Sequence, residues 1–280
     1  MTIRRVMAAA LIGAALPLAA CETTAAPAPM AEANGPALQA AIASPTRTDA
    51  NRARDVYRHP QETLSFFGVR PSDTVVEIWP GGGWYTEILV PYLANGGGTY
   101  IAAAPEWGHS GLDKLKAANP ALYGNMRVAD YPVFDGKAAE VPAGSADVVL
   151  TFRNVHNWRM GYRRDDKADY SADAFRQAYA MLKPGGVLGV VDHRLPEDAS
   201  DERERNSGYI KSSTVKRLAA EAGFVFDGSS EVNANPKDTA DWEKGVWTLP
   251  PSLTLKDVDR AKYQAIGESD RMTLKFVKPR

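Results

Sequence analysis

The candidate chemical groups of this sequence follow directly after short apolar runs. The run Thr74-Val75-Val76-Glu77-Ile78-Trp79 precedes Pro80 and three glycines, and the segment 153–158 follows the apolar residues 146–152. A glycine loop between a strand and a helix brings backbone N–H groups and the positive end of the helix to a ligand. In the second segment, His156 is the best candidate for a general base, because an imidazole titrates near neutral pH.

Three further side chains extend this set. His193 follows another apolar run and is a weaker candidate base. Arg153 and Arg194 carry guanidinium groups of the kind that hold anionic substrates through paired hydrogen bonds, and pairing with Asp192 is the alternative. For His156 the alternative is a purely structural hydrogen bond to a neighbouring loop.

The composition is typical of a soluble globular protein, with 44% hydrophobic and 24% charged residues. The formal net charge of −1 disfavours a nucleic-acid-binding surface, since phosphate binding depends on a large excess of lysine and arginine. The single cysteine rules out an internal disulfide and a cysteine-cluster metal site. The four histidines, at positions 59, 109, 156 and 193, show no metal-ligand spacing, so we expect no metal and no zinc hydrolase.

The candidate residues are set in a regular alternation of elements. Apolar, often β-branched runs predict seven strands, over residues 74–79, 99–104, 125–129, 146–152, 186–192, 224–226 and 272–277. Helical periodicity predicts helices over residues 51–67, 84–94, 112–118, 172–182 and 209–222, and Pro60 must kink or split the first. Strands separated by helices imply right-handed βαβ crossovers. We therefore predict an α/β fold, a Rossmann-like, mostly parallel seven-stranded sheet with helices on both faces.

The glycine loop gives the sequence a family resemblance. Residues Glu77-Ile78-Trp79-Pro80-Gly81-Gly82-Gly83 resemble the acidic-x-G-x-G-x-G motif of class I S-adenosylmethionine-dependent methyltransferases. The turn Leu182-Lys183-Pro184-Gly185-Gly186 resembles the one that precedes the fifth strand of those enzymes. The resemblance covers about residues 50–195, and it implies S-adenosyl-L-methionine as the cofactor and a small molecule as the methyl acceptor.

The resemblance also assigns cofactor contacts. Glu77, Gly81 and Gly83 match the motif by position, and Gly82 between the two glycines is also expected to contact the cofactor. Trp79 stands where the family has its first glycine. In the family the glycines let the chain approach the methionine part of the cofactor, so the Trp79 side chain is expected to narrow or reshape the pocket.

Later positions match the family less closely. The second strand ends at Ala104, where the family has a ribose-binding acid, and Glu106 is expected to substitute for it. Asp130 stands where the family has an acid near the adenine amino group, and an exposed strand-end aspartate is the alternative. Arg153 and Asn154 follow the fourth strand and are expected to contact the cofactor.

The residues support three functions unequally. We predict an active methyltransferase whose acceptor is unidentified. A non-catalytic ligand-binding protein on a degenerate methyltransferase scaffold is the alternative, because Trp79 and Ala104 alter cofactor-contact positions. A nicotinamide-dependent oxidoreductase is disfavoured, since the glycine spacing is wrong and the second strand does not end in an acid.

The N-terminus predicts export. Arg4 and Arg5 precede an apolar stretch, residues 6–20, which at 1.5 Å per residue is about 22 Å long and too short for a hydrocarbon core of ~30 Å. This pattern is typical of a signal peptide. Leu18-Ala19-Ala20-Cys21 resembles the lipobox of bacterial lipoproteins, in which the cysteine is acylated and becomes the first mature residue. An ordinary cleaved signal peptide is the alternative.

These patterns divide the chain into three regions. We expect a signal peptide over 1–20, a lipidated Cys21 with a flexible Ala/Pro-rich tether over 21–45, and a methyltransferase-like domain over 46–280. The protein is expected on the periplasmic side of a bacterial membrane, attached through its lipid, or soluble in the periplasm if Cys21 is not lipidated.

Overall fold

The structure is a computed structural model, and it describes residues 35–134 and 140–280. The predicted signal peptide, Cys21 and part of the predicted tether lie outside the described residues. Within the two described ranges, no helix combines the length and the apolar character needed to cross a membrane.

The fold is built on one mixed sheet. Its strands, numbered in chain order, are β1 Thr74–Ile78, β2 Thr99–Ala103, β3 Arg127–Ala129, β4 Ala146–Phe152, β5 Leu182–Leu195, β6 Ile210–Lys211, β7 Val225–Ser230 and β8 Arg271–Val277. They lie in the order β3-β2-β1-β4-β5-β8-β7, and the two-residue β6 pairs with β5. Strands β1 to β5 are parallel, and β8 runs antiparallel to β5 and β7. The predicted α/β fold is therefore confirmed, with eight strands where seven were expected.

Helices connect the strands. In the described residues the α-helices are Gly35–Ile42, Asp49–Arg52, Asp55–Arg58, Pro60–Phe67, Thr86–Gly96, His109–Ala118, Pro120–Tyr123, Val155–Arg159, Ser171–Met181, Asp201–Asn206, Ser212–Glu221 and Arg260–Ile266. Short 3-10 helices span Glu106–Gly108 and Gly245–Thr248. The predicted helix over 209–222 begins later, at Ser212, because the two residues before it form β6.

The central strand β1 is buried on both faces. Its side chains alternate, so that Val76 and Ile78 join one apolar cluster with Phe175, and Val75 joins a second cluster with Leu89. Each cluster lies between the sheet and the helices on that face. The loop after β1 therefore leaves from a strand that is fixed on every side.

The predicted helix over 51–67 is split, as Pro60 requires. It forms Asp49–Arg52, Asp55–Arg58 and Pro60–Phe67, and His59 between the last two has a left-handed φ of 40°. Pro60 is the first residue of its helix, where its missing N–H costs nothing.

The described fold also reaches into the segment predicted as a tether. The helix Gly35–Ile42 packs against the helix Thr86–Gly96 and buries Leu38 and Ala41 in the core. Two buried aliphatic residues hold this helix on the domain, although the surrounding composition predicted no packed structure.

Candidate functional site

A cavity of about 350 Å³ opens at the carboxyl edge of the sheet, beside the loop that follows β1. Strand β1 lies between β2 and β4, so the order of the strands reverses direction at this point. Such crevices are the usual ligand sites of open parallel sheets. Arg153 and His156, which follow β4, and His193 of β5 line the same cavity. We call it the polar cavity.

Glycines shape the loop after β1. Gly81 has a φ of 60° and Gly83 a φ of 82°, a left-handed conformation that costs other residues about 1–2 kcal/mol. A Cβ at Gly81 would meet no atom within 4 Å, so the space in front of this residue is open. A Cβ at Gly83 would lie 2.2 Å from Leu115 Cδ1, so a side chain there would have to displace the end of Leu115 as well as adopt the left-handed conformation. Gly81 and Gly82 line the polar cavity, whereas Gly83 does not.

Trp79 adopts a left-handed φ of 49° at the position of the family's first glycine. Its Nε1 donates a hydrogen bond to the carbonyl oxygen of Tyr131 at 2.8 Å, and its ring lies edge-on to Trp107 and Trp158. These contacts hold the indole toward the ends of β2 and β3. The indole therefore forms a wall of the polar cavity and leaves the space before Gly81 open.

Trp79 also lines a second cavity, of about 390 Å³. The aromatic side chains of this cavity are Trp79, Trp107, Tyr162 and Trp247. We call it the aromatic cavity. Gly81 and Asn154 line both cavities, so the two adjoin at the glycine loop. Aromatic faces of this kind stack against planar rings and attract cations.

A buried carboxylate holds His156. The Nδ1 atom of His156 lies 2.7 Å from Oδ1 of Asp192, and its backbone N–H donates to Oδ2 at 3.1 Å. Asp192 is fully buried and also accepts a hydrogen bond from the backbone N–H of His193. An ionised Asp192 places the proton of neutral His156 on Nδ1, which leaves the lone pair on Nε2. Nε2 makes no hydrogen bond to a described residue, and the ring lines the polar cavity.

His193 lies beside His156, with 5.0 Å between the ring centroids. Its Nδ1 is 2.5 Å from Oγ of Ser269. Burial, followed by the charge that His156 carries when it is protonated and by the charge of Arg271, lowers the pKa of His193 well below its usual range. This ring therefore stays neutral near pH 7.

His156, Asp192 and His193 also offer three potential metal-ligand atoms within 4.8 Å of one another. The sequence shows no metal-ligand spacing for these residues because two of them come from β5 and one follows β4. The positive charges of Arg271, Arg153 and other arginines act on His193 and oppose a further cation there.

Glu77 lies under the loop as a structural anchor. Its carboxylate is 2% exposed and accepts hydrogen bonds from Tyr100 at 2.6 Å and Thr86 at 2.9 Å. Burial raises the pKa of Glu77 to about 7. The three side chains connect the end of β1 to β2 and to the helix after the glycines.

Asn154 joins the ends of two neighbouring strands. Its Nδ2 donates to the carbonyl oxygen of Ile78 at 2.9 Å and to Oγ1 of Thr151 at 3.2 Å. This places the segment after β4 at a fixed distance from the glycine loop. Asn154 thus positions the site as well as lining it.

Sequence reasoning missed most of the charged residues of the polar cavity. Its charged lining includes Arg54, Arg58, Arg153, Arg271 and Glu268. Arg54 and Arg58 come from the broken helical segment. More than 200 residues later, Arg271 begins β8 and Glu268 lies shortly before it. Of the charged lining, only Glu77, within a predicted strand, and Arg153, next to a predicted strand end, were identified, because no local pattern connects such distant segments.

Other predicted residues lie elsewhere. Glu106 is exposed and lines neither cavity, and Asp130 lies 3.8 Å from His109, also outside both cavities. Arg194 pairs with Asp270 at 2.7 Å. The alternative pairing of Arg194 with Asp192 is therefore wrong.

Comparisons with known proteins identify the fold. No protein-family model and no curated protein sequence matches the chain. Among solved structures, a SAM-dependent methyltransferase from Aquifex aeolicus is 14% identical, with a TM-score of 0.51 over 80% of this chain and 92% of that one. A putative sarcosine dimethylglycine methyltransferase from Galdieria sulphuraria is 14% identical, with a TM-score of 0.53 over 81% and 85%. The [4+2]-cyclase SpnF is 13% identical, with a TM-score of 0.52 over 85% of each chain.

These similarities and the strand order define the class of the molecule. The chain has the Rossmann-like α/β fold that S-adenosylmethionine-dependent methyltransferases share. At this level of identity the likeness concerns the fold, and function has to be argued from the site.

Proposed function

We propose that this protein is an S-adenosylmethionine-dependent methyltransferase that acts on a small acceptor with a transferable proton. The observation that supports it most directly is the His156–Asp192 pair, whose free Nε2 belongs to a ring lining the cavity beside the glycine loop. A general base is required only where the methylated atom must lose a proton, as in a hydroxyl group or a protonated amine.

The two adjoining cavities fit the proposed cofactor in part. The open space before Gly81 suits a close backbone approach, and the aromatic cavity suits a nucleoside and a sulfonium cation. Ala104, which lines the aromatic cavity, has no polar side chain to bind ribose hydroxyls. When bound, S-adenosylmethionine would supply an electrophilic methyl group.

The chain's own residues would orient the acceptor and remove its proton. Asp192 fixes the ring of His156 and stabilises the imidazolium that forms when Nε2 accepts the proton. Asn154 holds the β4 segment against the glycine loop, so that base and cofactor loop keep their separation. Alignment and exclusion of water supply the remainder of such catalysis.

Calorimetry with S-adenosylmethionine and S-adenosylhomocysteine tests the cofactor assignment. We expect dissociation constants below about 1 mM, equivalent to about −4 kcal/mol of binding free energy. The variant Gly81→Leu should abolish binding. Gly97→Leu is the matched control, because Gly97 also has a positive φ and an open Cβ position but lies at the far end of the next helix. Absence of binding by the parent protein, or equal affinity in both variants, would refute the assignment.

A second candidate function is binding without catalysis on a degenerate scaffold. Trp79 at the first-glycine position and the apolar Ala104 favour it. The fold is also found in a protein described as a [4+2]-cyclase, so the scaffold does not by itself imply methyl transfer. Failure to bind S-adenosylmethionine, together with binding of another small molecule, is the result this function predicts.

We also propose that the protein is exported and attached to a membrane by a lipid on Cys21. The order of basic residues, apolar stretch, small residues and cysteine in the first 21 residues supports this proposal. The acceptor would then be encountered outside the cytoplasm.

A further inference from the structure

The polar cavity contains more positive than negative charge. Four guanidinium groups line it, and three of them, those of Arg54, Arg58 and Arg271, bond to the single carboxylate of Glu268. The Nε atoms of Arg54 and Arg58 lie 2.5 and 3.2 Å from the Glu268 oxygens. Burial opposes ionisation of Glu268, but the charges of Arg271 and Arg58 outweigh it and hold its pKa at about 2. Glu268 is thus fully charged and still balances only one of the four cations.

The Arg58 guanidinium is buried with unused donors. Its side chain is 2% exposed, and neither Nη1 nor Nη2 has a hydrogen-bond partner among the described residues. Nη2 of Arg54 is in the same condition. A buried donor without a partner costs about 1–3 kcal/mol, and more when it is charged. Burial and the charge of Arg153 lower the pKa of Arg58 to about 8, and the shared carboxylate of Glu268 offsets them only in part.

The plane of the Arg58 guanidinium is fixed from one side. Its Cζ lies 4.8 Å from the centroid of the Trp84 ring, and Trp84 also lines the cavity. Trp84 is held in turn by a hydrogen bond from its Nε1 to the carbonyl oxygen of Asn51 at 2.9 Å. The group is therefore preorganised with its two terminal nitrogens unused.

Arg153 adds a second available guanidinium. It follows β4 with a left-handed φ of 64°, and its backbone N–H donates to Val191 at 2.7 Å. Its guanidinium makes no hydrogen bond to another described residue and lines the cavity. Strain at a non-glycine residue in a binding cleft is usual where the side chain must point to a ligand.

We propose that the polar cavity binds a phosphate-like dianion through Arg58, Arg153 and Arg54, and that this dianion is part of the methyl acceptor. Four guanidinium groups face the carboxylate of Glu268 and that of Glu77, which is partly ionised near pH 7 because its pKa is about 7. The excess of two to three positive charges is neutralised better by a dianion than by a monoanion. The forked donors of arginine match the oxygen spacing of phosphate. His156 lines the same cavity, so a group attached to the anion is presented to the base. The assignment to the acceptor rests on the proposed methyl transfer, whereas anion binding itself does not.

Calorimetric titration of the purified protein with inorganic phosphate tests the site, at constant ionic strength and with acetate as the monoanion. We expect phosphate to bind, and acetate to bind at least tenfold more weakly. Arg153→Gln should weaken phosphate binding tenfold or more, and so should Arg58→Lys, which keeps the charge but loses the fork. Arg217→Gln is the control, because it removes one exposed charge from a residue that does not line the cavity.

Each result bears on a separate part of the proposal. No phosphate binding, or unchanged affinity in Arg153→Gln, would overturn the anion site even if S-adenosylmethionine binds. The titration is repeated with saturating S-adenosylhomocysteine. Retained phosphate affinity supports an acceptor site, whereas displacement would show that the arginines bind the cofactor's own carboxylate and would overturn the acceptor assignment. If S-adenosylhomocysteine does not bind, the methyltransferase proposal fails while the phosphate titration still tests the site.

Discussion

At the scale of single residues, the pair His156 and Asp192 connects the geometry to a reaction. The carboxylate is buried and bonded to Nδ1, so the tautomer with a free Nε2 is the one the environment stabilises. The same ring without its partner could carry the proton on either nitrogen, and the molecules protonated at Nε2 would present a donor where an acceptor is needed.

The tautomer can be measured without knowing the acceptor. In protein with ¹⁵N-labelled histidine, neutral His156 should show a protonated Nδ1 and an unprotonated Nε2. Asp192→Asn should shift the population toward the other tautomer, because a neutral amide no longer selects a donor at Nδ1. His109, whose Nε2 lies 2.9 Å from the carbonyl oxygen of Ala104, is the internal control and should not change. A protonated Nε2 in the parent protein would contradict the assignment.

In turnover, His156→Gln should lower kcat for a protic acceptor by about 10²–10⁴-fold, the usual contribution of a positioned base. Affinity for S-adenosylhomocysteine should remain within about twofold, because the proposed role of His156 is to take a proton from the acceptor and not to bind the cofactor. His109→Gln should leave both quantities unchanged. Equal losses in the two variants would remove His156 from the reaction.

Glu77 supplies a prediction about stability and pH. Its ordinary pKa of 4.5 rises to about 7 in the folded protein because burial disfavours the carboxylate. Between these pH values the unfolded chain loses a proton that the folded chain keeps, so this residue lowers stability as the pH rises from about 4.5 to about 7. The full effect is about 3 kcal/mol, and it is constant above that range.

Urea unfolding at pH 5 and pH 8 measures this effect. Glu77→Gln keeps an oxygen acceptor for Tyr100 and Thr86 but cannot ionise. Relative to the parent protein, the variant should therefore gain up to about 3 kcal/mol between pH 5 and pH 8. Parallel changes in the two proteins would mean that Glu77 is ionised in the folded state throughout.

At the scale of helices and strands, local patterns were sufficient for the central elements. The apolar run of β4 has the predicted bounds, residues 146–152, because every strand residue but one is buried there and periodicity reports burial directly. Pro60 split its helix for a steric reason that operates in any sequence.

The site itself could be predicted only where it adjoins such elements. His156, Arg153 and the glycines follow predicted strands, so the topology brings them together. Arg58 and Glu268 meet through the packing of β8 beside β5, which no spacing along the chain encodes. The orientation of the Trp79 indole likewise depends on Tyr131, a residue of another strand end.

The helix Gly35–Ile42 gives a prediction at the same scale. Leu38 is buried against the domain, so Leu38→Ala should lower the free energy of unfolding by about 2–5 kcal/mol. Gln39→Ala, at the exposed neighbouring position, should change it by less than about 0.5 kcal/mol. Urea denaturation measures both. A loss below about 1 kcal/mol for Leu38→Ala would show that the helix is only loosely attached.

At the scale of the molecule, the proposed chemistry and the proposed location constrain each other. The packed structure of the domain begins by Gly35. About 13 residues would separate it from a lipid on Cys21, and these residues span roughly 40 Å when fully extended. A domain attached by a tether of this length would remain close to the membrane surface and meet acceptors that are exported or membrane-derived.

Membrane attachment determines which acceptors the protein can meet, and it can be tested directly. When the protein is expressed with its own N-terminus in a bacterial host fed labelled palmitate, the mature chain should carry the label and sediment with membranes. Cys21→Ser should lose both, because a hydroxyl does not replace the thiolate as the acylated nucleophile. Its domain should still bind S-adenosylhomocysteine as the parent does, since residue 21 precedes the first described helix. A Cys21→Ser protein that remains membrane-bound and labelled would refute the lipid anchor, and an unlabelled parent protein released into the periplasm would favour an ordinary cleaved signal peptide.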